Sequence, residues 1–126
     1  MARAYHVDIA AVAAQADPKW VDNLLSHFTV AGVESAKQGV ARRMSIDAVR
    51  TVVLTRALSR DGGLSVERAL TSATRLLSAD HGRIFAAPFV ELALDRPGFD
   101  ADVDRKIAAA VEAVVPRRRG RPPGRK

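Results

Sequence analysis

Ala41-Arg42-Arg43-Met44-Ser45-Ile46-Asp47-Ala48-Val49-Arg50 changes character in mid-course, and the rest of the chain is arranged around that change. Up to Met44 it reads as the end of a basic β-strand. Ser45 is a preferred helix N-cap, because its hydroxyl accepts an orphan N–H of the first turn. A helix is expected from Ile46 to Ser59. Ile46, Val49, Val53 and Ala57 form one stripe, and Val52 and Leu54 widen it, so this helix is read as buried on much of its circumference. Asp61-Gly62-Gly63 supplies the glycine signal that follows a helix C-terminus.

Upstream, Thr29 to Val33 is β-prone, Glu34 to Gly39 is polar and ends in glycine, and Val40 to Met44 reads as the return strand. The expectation is a small β-hairpin, or wing, carrying Lys37, Arg42 and Arg43. Arginines on such a hairpin hold phosphates; the alternative is a solvated surface loop. Before it lie two short helices. Residues 8–15 are Ala-rich, with Asp8 as expected N-cap and Ile9, Val12 and Ala13 on a core face. Asp17-Pro18 opens the second, with Asp at the cap and Pro at the first helical position. Val21, Leu24, Leu25 and Phe28 form its buried stripe. Two short helices joined by a tight turn match a helix-turn-helix, whose second helix enters the major groove through its N-terminal residues. Those are Lys19, Trp20 and Asn23. Trp20 is read as an edge-of-core residue in preference to a base contact. Lys19 and Asn23 face either solvent or DNA.

Downstream, Ser65 caps another helix to about Leu77, with Val66, Ala69, Leu70, Ala73, Leu76 and Leu77 at helical spacing. Residues 83–95 read as one or two strands, with Pro88 at an edge or a strand start. Arg96-Pro97-Gly98 reads as a turn. Asp100 or Asp102 caps a last helix to about Val115, with Val103, Ile107, Ala110, Val111 and Val114 on one stripe. Pro116 is expected to end it. That stripe either packs on the chain's own core or, with the strand before it, forms a self-association surface, a homodimer contact within residues 89–115.

From residue 7 to 77 this order of signals resembles the MerR-like DNA-binding domain: helix-turn-helix, wing, then two helices. The stretches that carry the resemblance are Ala41 to Arg50 and Gly63-Leu64-Ser65-Val66-Glu67. The resemblance implies that Arg42 and Arg43 are wing contacts to phosphate. The chain departs from the family in its second helix, where Lys19-Trp20-Val21-Asp22-Asn23 replaces the usual Thr-Leu-Arg-Tyr-Tyr. It also lacks the family's effector-sensing cysteines and long dimerising coiled coil.

The last ten residues, Arg117-Arg118-Arg119-Gly120-Arg121-Pro122-Pro123-Gly124-Arg125-Lys126, hold six cations and no acid. The chain has 20 Lys and Arg against 14 Asp and Glu, so without the tail the body is neutral and the net charge of +6 belongs to the arm. Gly120 lets the backbone approach a surface closely, and Pro122 and Pro123 favour an extended chain. Two arginines around a glycine suit the narrow, electronegative minor groove of an A·T tract. Arg119-Gly120-Arg121-Pro122 resembles the AT-hook, with Pro123 and Gly124 where most hooks have further basic residues. The resemblance implies that Arg119 and Arg121 enter the groove while Arg117, Arg118, Arg125 and Lys126 neutralise phosphates. A generic basic tail is the alternative.

Function classes narrow accordingly. With no cysteine, disulfides, thiol catalysis and cysteine zinc sites are excluded. His6, His27 and His81 share no metal-ligand spacing with acids. There is no Gly-x-Ser-x-Gly elbow and no Walker loop. Asp100, Asp102 and Asp104 lack the central glycine and final glutamate of a calcium loop. No catalytic residue, cofactor or metal is expected, nor any membrane partner, and no apolar run has the length of a span. The expected organisation is mainly α. A MerR-like winged helix-turn-helix occupies 1–77, a strand-helix extension 78–115, and a disordered basic arm 116–126. The expected partner is double-stranded DNA, A·T-rich, in the cytoplasm or nucleoid, for transcriptional regulation or nucleoid organisation. RNA binding and a protein-interaction module, such as an antitoxin or adaptor, are the other classes.

Overall fold

A computed structural model of the chain describes residues 4–34 and 42–119, with side chains as far as residue 113. The first strand, β1 (Tyr5–His6), runs straight into α1 (Val7–Ala14), and α2 (Pro18–His27) follows after a three-residue turn. β2 (Val33–Glu34) and β3 (Arg43–Met44) lead to α3 (Ile46–Arg60) and α4 (Val66–Ser78). A hairpin, β4 (Arg83–Ala87) and β5 (Val90–Ala93), precedes α5 (Arg96–Arg119). The chain is thus mainly helical, with two small antiparallel sheets among the described residues.

α1 starts one residue before the expected cap. His6 Nδ1 accepts the Asp8 N–H at 3.2 Å, which leaves Asp8 in the first turn, where its charge suits the helix dipole. At the other end Gln15 takes a left-handed conformation (φ 56°) and Ala16 N–H returns to Ala11 O at 2.9 Å, a Schellman closure without glycine. Ile9 and Ala13 are buried as expected, but Val12 is 51% exposed. The helix instead buries Val7, Ala10, Ala11 and Ala14, small side chains that let neighbouring helices approach closely. In α2 the cap position is Asp17 with Pro18 behind it, although the Asp17 carboxylate makes no capping bond.

The first sheet has the order β1-β3-β2, with Met44 opposite both Tyr5 and Val33. Among the described residues two residues of each strand pair, and the pairing of β2 starts at Val33, later than the run from Thr29 suggested. Gly32 explains this: at φ +90° it bends the chain just before Val33. Its carbonyl accepts the Ser45 N–H at 2.8 Å, and a Cβ there would collide with the Ser45 hydroxyl. That hydroxyl is already used, accepting Ala48 N–H at 3.1 Å to cap α3. The Ser65 hydroxyl caps α4 in the same way, accepting Arg68 N–H at 3.3 Å.

The hairpin turns on Pro88-Phe89. Pro88 lies in the turn and not at a strand start, because its fixed φ suits the first central position. Phe89 holds the second at φ 70°. Arg96, Pro97 and Gly98 are likewise not a free turn but the opening of α5. Asp95 Oδ1 accepts Gly98 N–H at 3.2 Å and its carbonyl accepts Phe99 N–H at 2.8 Å, so Asp95 is the cap and Asp100 and Asp102 lie inside the helix. α5 also continues through Pro116 to Arg119. Proline withholds one N–H from the ladder there, but its φ is already helical.

Two apolar clusters result. The larger joins α1, α2, β3, α3 and α5, with Met44, Val49, Val52 and Val103 wholly buried. Val103, Ile107 and Ala110 of α5 lie in this cluster, so most of the last stripe packs on the chain's own core. The smaller cluster contains Leu54, Ala73, Leu76 and Ile84, flanked by Leu92, Leu94 and Phe99. Among the described residues no helix is long and apolar enough to cross a membrane.

Candidate nucleic-acid interface

α2 turns two faces in different directions because its apolar residues recur at helical spacing. Val21 and Leu24 are buried, while Lys19 and Asn23, four residues apart, are exposed together. Trp20 lies on the flank. The Arg56 guanidinium of α3 stacks over its ring at 5.0 Å, and the indole packs partly buried against the large cluster. Trp20 is therefore engaged by α3, as the edge-of-core reading expected. Beside it Asn23, His27 and Phe28 line a shallow hollow closed by Val66 of α4. His27 Nδ1 donates to the Asn23 carbonyl at 2.8 Å, since a carbonyl oxygen can only accept.

Arg42 stands just before β3 and reaches across to α2. Its Nη1 donates to Asp22 Oδ1 at 3.2 Å and its Nη2 to Ser26 Oγ at 3.0 Å. Asp22 and Ser26 are one helical turn apart, so one planar guanidinium spans both. This clasp joins the base of the hairpin to the exposed side of α2. Arg43 follows on β3, exposed, opposite His6 and Glu34 in the register. Neither Arg43 nor Lys19 makes an ion pair among the described residues.

Several other body arginines are committed elsewhere. Arg50, 18% exposed, lies 3.4 Å from Asp47, 3.3 Å from Asp100 and 3.5 Å from Asp104, bracing α3 to α5. Arg96 donates to Asp100 at 3.0 Å and to Leu77 O at 2.9 Å. Arg60 pairs with Asp61, and its hydrogen bond and charge hold that carboxyl below its ordinary pKa. Asp102 is also held low, first by a hydrogen bond from Lys106 and then by the charges of Lys106 and Arg105.

Of the residues singled out from sequence, the structure brings Arg42 onto α2 beside the exposed Lys19 and Asn23 side. Arg117, Arg118 and Arg119 fall within the last turn of α5. Lys37, Gly120, Arg121, Pro122, Arg125 and Lys126 lie outside the described residues. The sequence reading missed the arginine partners, above all Asp22 and Ser26. Their i, i+4 spacing makes them one-turn neighbours on the solvent-facing side of α2, but it does not name a partner 20 and 16 residues away. Among the described residues there is no group of three or more His, Cys, Asp or Glu placed to hold a metal ion. A scan against protein-family models and searches of curated proteins and of solved structures found no match to this chain.

Proposed function

We propose that this chain binds double-stranded DNA, as a transcriptional regulator or nucleoid-organising protein, through a MerR-like winged helix-turn-helix body and an AT-hook-like arm. The observation that carries the reading is the Arg42 clasp. It makes α2 and the base of the β2–β3 hairpin one surface, which recognition helix and wing require if both are to meet one duplex. On that surface Lys19 and Arg43 keep their charges unpaired among the described residues and Asn23 is exposed, while the other arginines described above serve the fold. Lys19 and Arg43 meet phosphates, and Asn23 lies nearest to base edges.

The arm supplies most of the affinity, because it holds the chain's entire charge excess. Arg119 and Arg121 enter an A·T minor groove on either side of Gly120. For Arg119 to do so, the last turn of α5 must unwind. Pro116 helps, since it contributes no N–H to the ladder there. Body and arm are tethered, so two weak contacts combine through effective concentration.

Competition binding tests this directly. An A·T-rich duplex should outcompete a G·C duplex and RNA, and deleting residues 117–126 should abolish the preference. Equal binding to all three would end the minor-groove reading, and no binding at low salt would end the DNA reading. With Arg117, Arg118, Arg125 and Lys126 at phosphates, the tail's contribution to the slope of log K against log salt is about −3.6, from roughly −0.9 per contact, and it reaches about −5 if the two groove arginines also displace counterions. A slope unchanged by the deletion would place the affinity in the body.

A further inference from the structure

We propose that the free edge of β5 pairs antiparallel with β5 of a second copy of this chain, joining two hairpins into a four-stranded sheet. This does not depend on the DNA reading.

The hairpin's own register defines the edge. Leu94 N–H donates to Gly82 O at 2.8 Å, so that pair is hydrogen-bonded. Hydrogen-bonded and non-bonded pairs alternate along an antiparallel ladder. Ile84 and Leu92 therefore share bonds within the hairpin, whereas Arg83–Ala93 and Phe85–Glu91 do not. The backbone groups of Phe85 point away from β5, and Arg75 of α4 donates to the Phe85 carbonyl at 3.2 Å, which guards the β4 edge. Those of Glu91 and Ala93 point away from β4. Among the described residues they have no backbone partner.

Native edge strands are blunted by charge or proline. Neither protects β5. Its single charge, Glu91, is matched by Arg83 at 3.1 Å in the same hairpin. Around it the surface is apolar: Phe85 is 63% exposed, Val90 49%, and Phe89 fully. Phe89 also occupies a left-handed position that glycine would hold without strain.

The edge fits itself. A two-fold axis at Leu92 sets Leu92 against Leu92 of the second copy, and Glu91 against its Ala93. The two outward residues on each side then exchange four backbone hydrogen bonds. Each Glu91 faces an alanine, with Arg83 next in the row, so no like charges meet head-on. On the inner face Val90 comes opposite Leu94 of the second copy, and Phe89 passes to the start of its α5. Val103, Ile107 and Ala110 of the α5 stripe are used by the chain's own core, whereas the tip of this hairpin is left bare.

Sedimentation equilibrium of the full chain decides the matter. The small interface predicts a dissociation constant on the order of 10 µM, seen as a rise from the 13.5 kDa chain toward twice that mass. Ala93→Pro deletes an outward N–H on both copies and no bond inside the hairpin, and should weaken the dimer about 30-fold. Phe89→Gly keeps the turn and relaxes its φ, so it folds, and should weaken the dimer about 10-fold. Circular dichroism checks that both variants retain the helical fold. Wild-type chain that stays monomeric to about 500 µM, some fifty times that constant, would overturn the proposal. So would a dimer unaffected by both substitutions, which would have to form elsewhere.

Discussion

The two apolar clusters of this molecule are finished differently. Around the larger one, arginines brace the rim from within the chain. Arg42 is clasped on α2, Arg50 is shared by three aspartates, and Arg56 is stacked on Trp20. Around the smaller one, the sheet covers Leu54, Ala73 and Leu76 with its inner face and leaves Phe85, Phe89 and Val90 bare. The first region buries its apolar side chains within one chain. The second has covered only one face of a two-stranded sheet, which is marginal unless it packs on something. Where a chain spends its arginines and where it leaves its aromatics thus mark different tasks.

The sharpest way to break this comparison is to truncate one large apolar residue in each region. Met44 is wholly buried between β1 and β2, and Met44→Ala should cost about 3 kcal/mol. Phe89→Ala should change monomer stability by no more than about 0.5 kcal/mol, since the ring is solvent-exposed. Urea unfolding at sub-micromolar chain, below the proposed association, reads both. Comparable losses would mean that the hairpin tip is covered within the monomer.

Much of the larger cluster was legible because its signals are local. Ser45 and Ser65 each stand just before an apolar repeat, and both cap where expected. The strand before β3 was legible in outline but not in where it starts, because Gly32 reads as a mild strand breaker until Ser45 is seen beneath it. β1 escaped because two residues carry no periodicity. The start of α5 escaped for a different reason. Asp95-Arg96-Pro97-Gly98 is equally good turn chemistry and N-cap chemistry, and only the packing of Phe99 and Val103 decides. At the candidate interface, exposed Lys19 and Asn23 could be read from the helical period. The fate of Arg42 could not, since its partners lie 20 and 16 residues away. Periodicity shows which face a residue occupies but not which distant side chain meets it.

Gly32 also supplies the next largest effect. Gly32→Ala must hold a side chain at φ +90° and displace the hydroxyl that caps α3, so a loss of about 2 kcal/mol is expected. Ser45→Ala alone should cost about 1 kcal/mol. If Gly32→Ala costs no more than Ser45→Ala, the cap is the whole effect and the backbone conformation is unstrained. Arg50→Met should cost about 1 kcal/mol at low salt and less at 1 M salt, because its three carboxylate partners are only partly shielded. A salt-independent loss would show that the arginine's stem acts mainly by packing.

The smallest effect lies on the outer side of α5. Asp102 is half-exposed, and its carboxyl is lowered first by the Lys106 hydrogen bond and then by nearby positive charge. A carboxyl held low in the folded state stabilises it at pH above the unfolded pKa, and the contribution fades as pH falls through the folded one. Lys106→Met should therefore raise the Asp102 titration toward the ordinary aspartate range and flatten the acid limb of the stability profile slightly. Carboxyl NMR shifts followed against pH measure the first, and urea midpoints between about pH 5 and pH 2 the second. An Asp102 that stays low in Lys106→Met would mean that Arg105, also in contact with it, suffices alone. Even then the larger contrast would hold, because this pair follows from i, i+4 spacing on one helix. Arg42 and Arg50 instead join different elements, and their loss is felt by the fold.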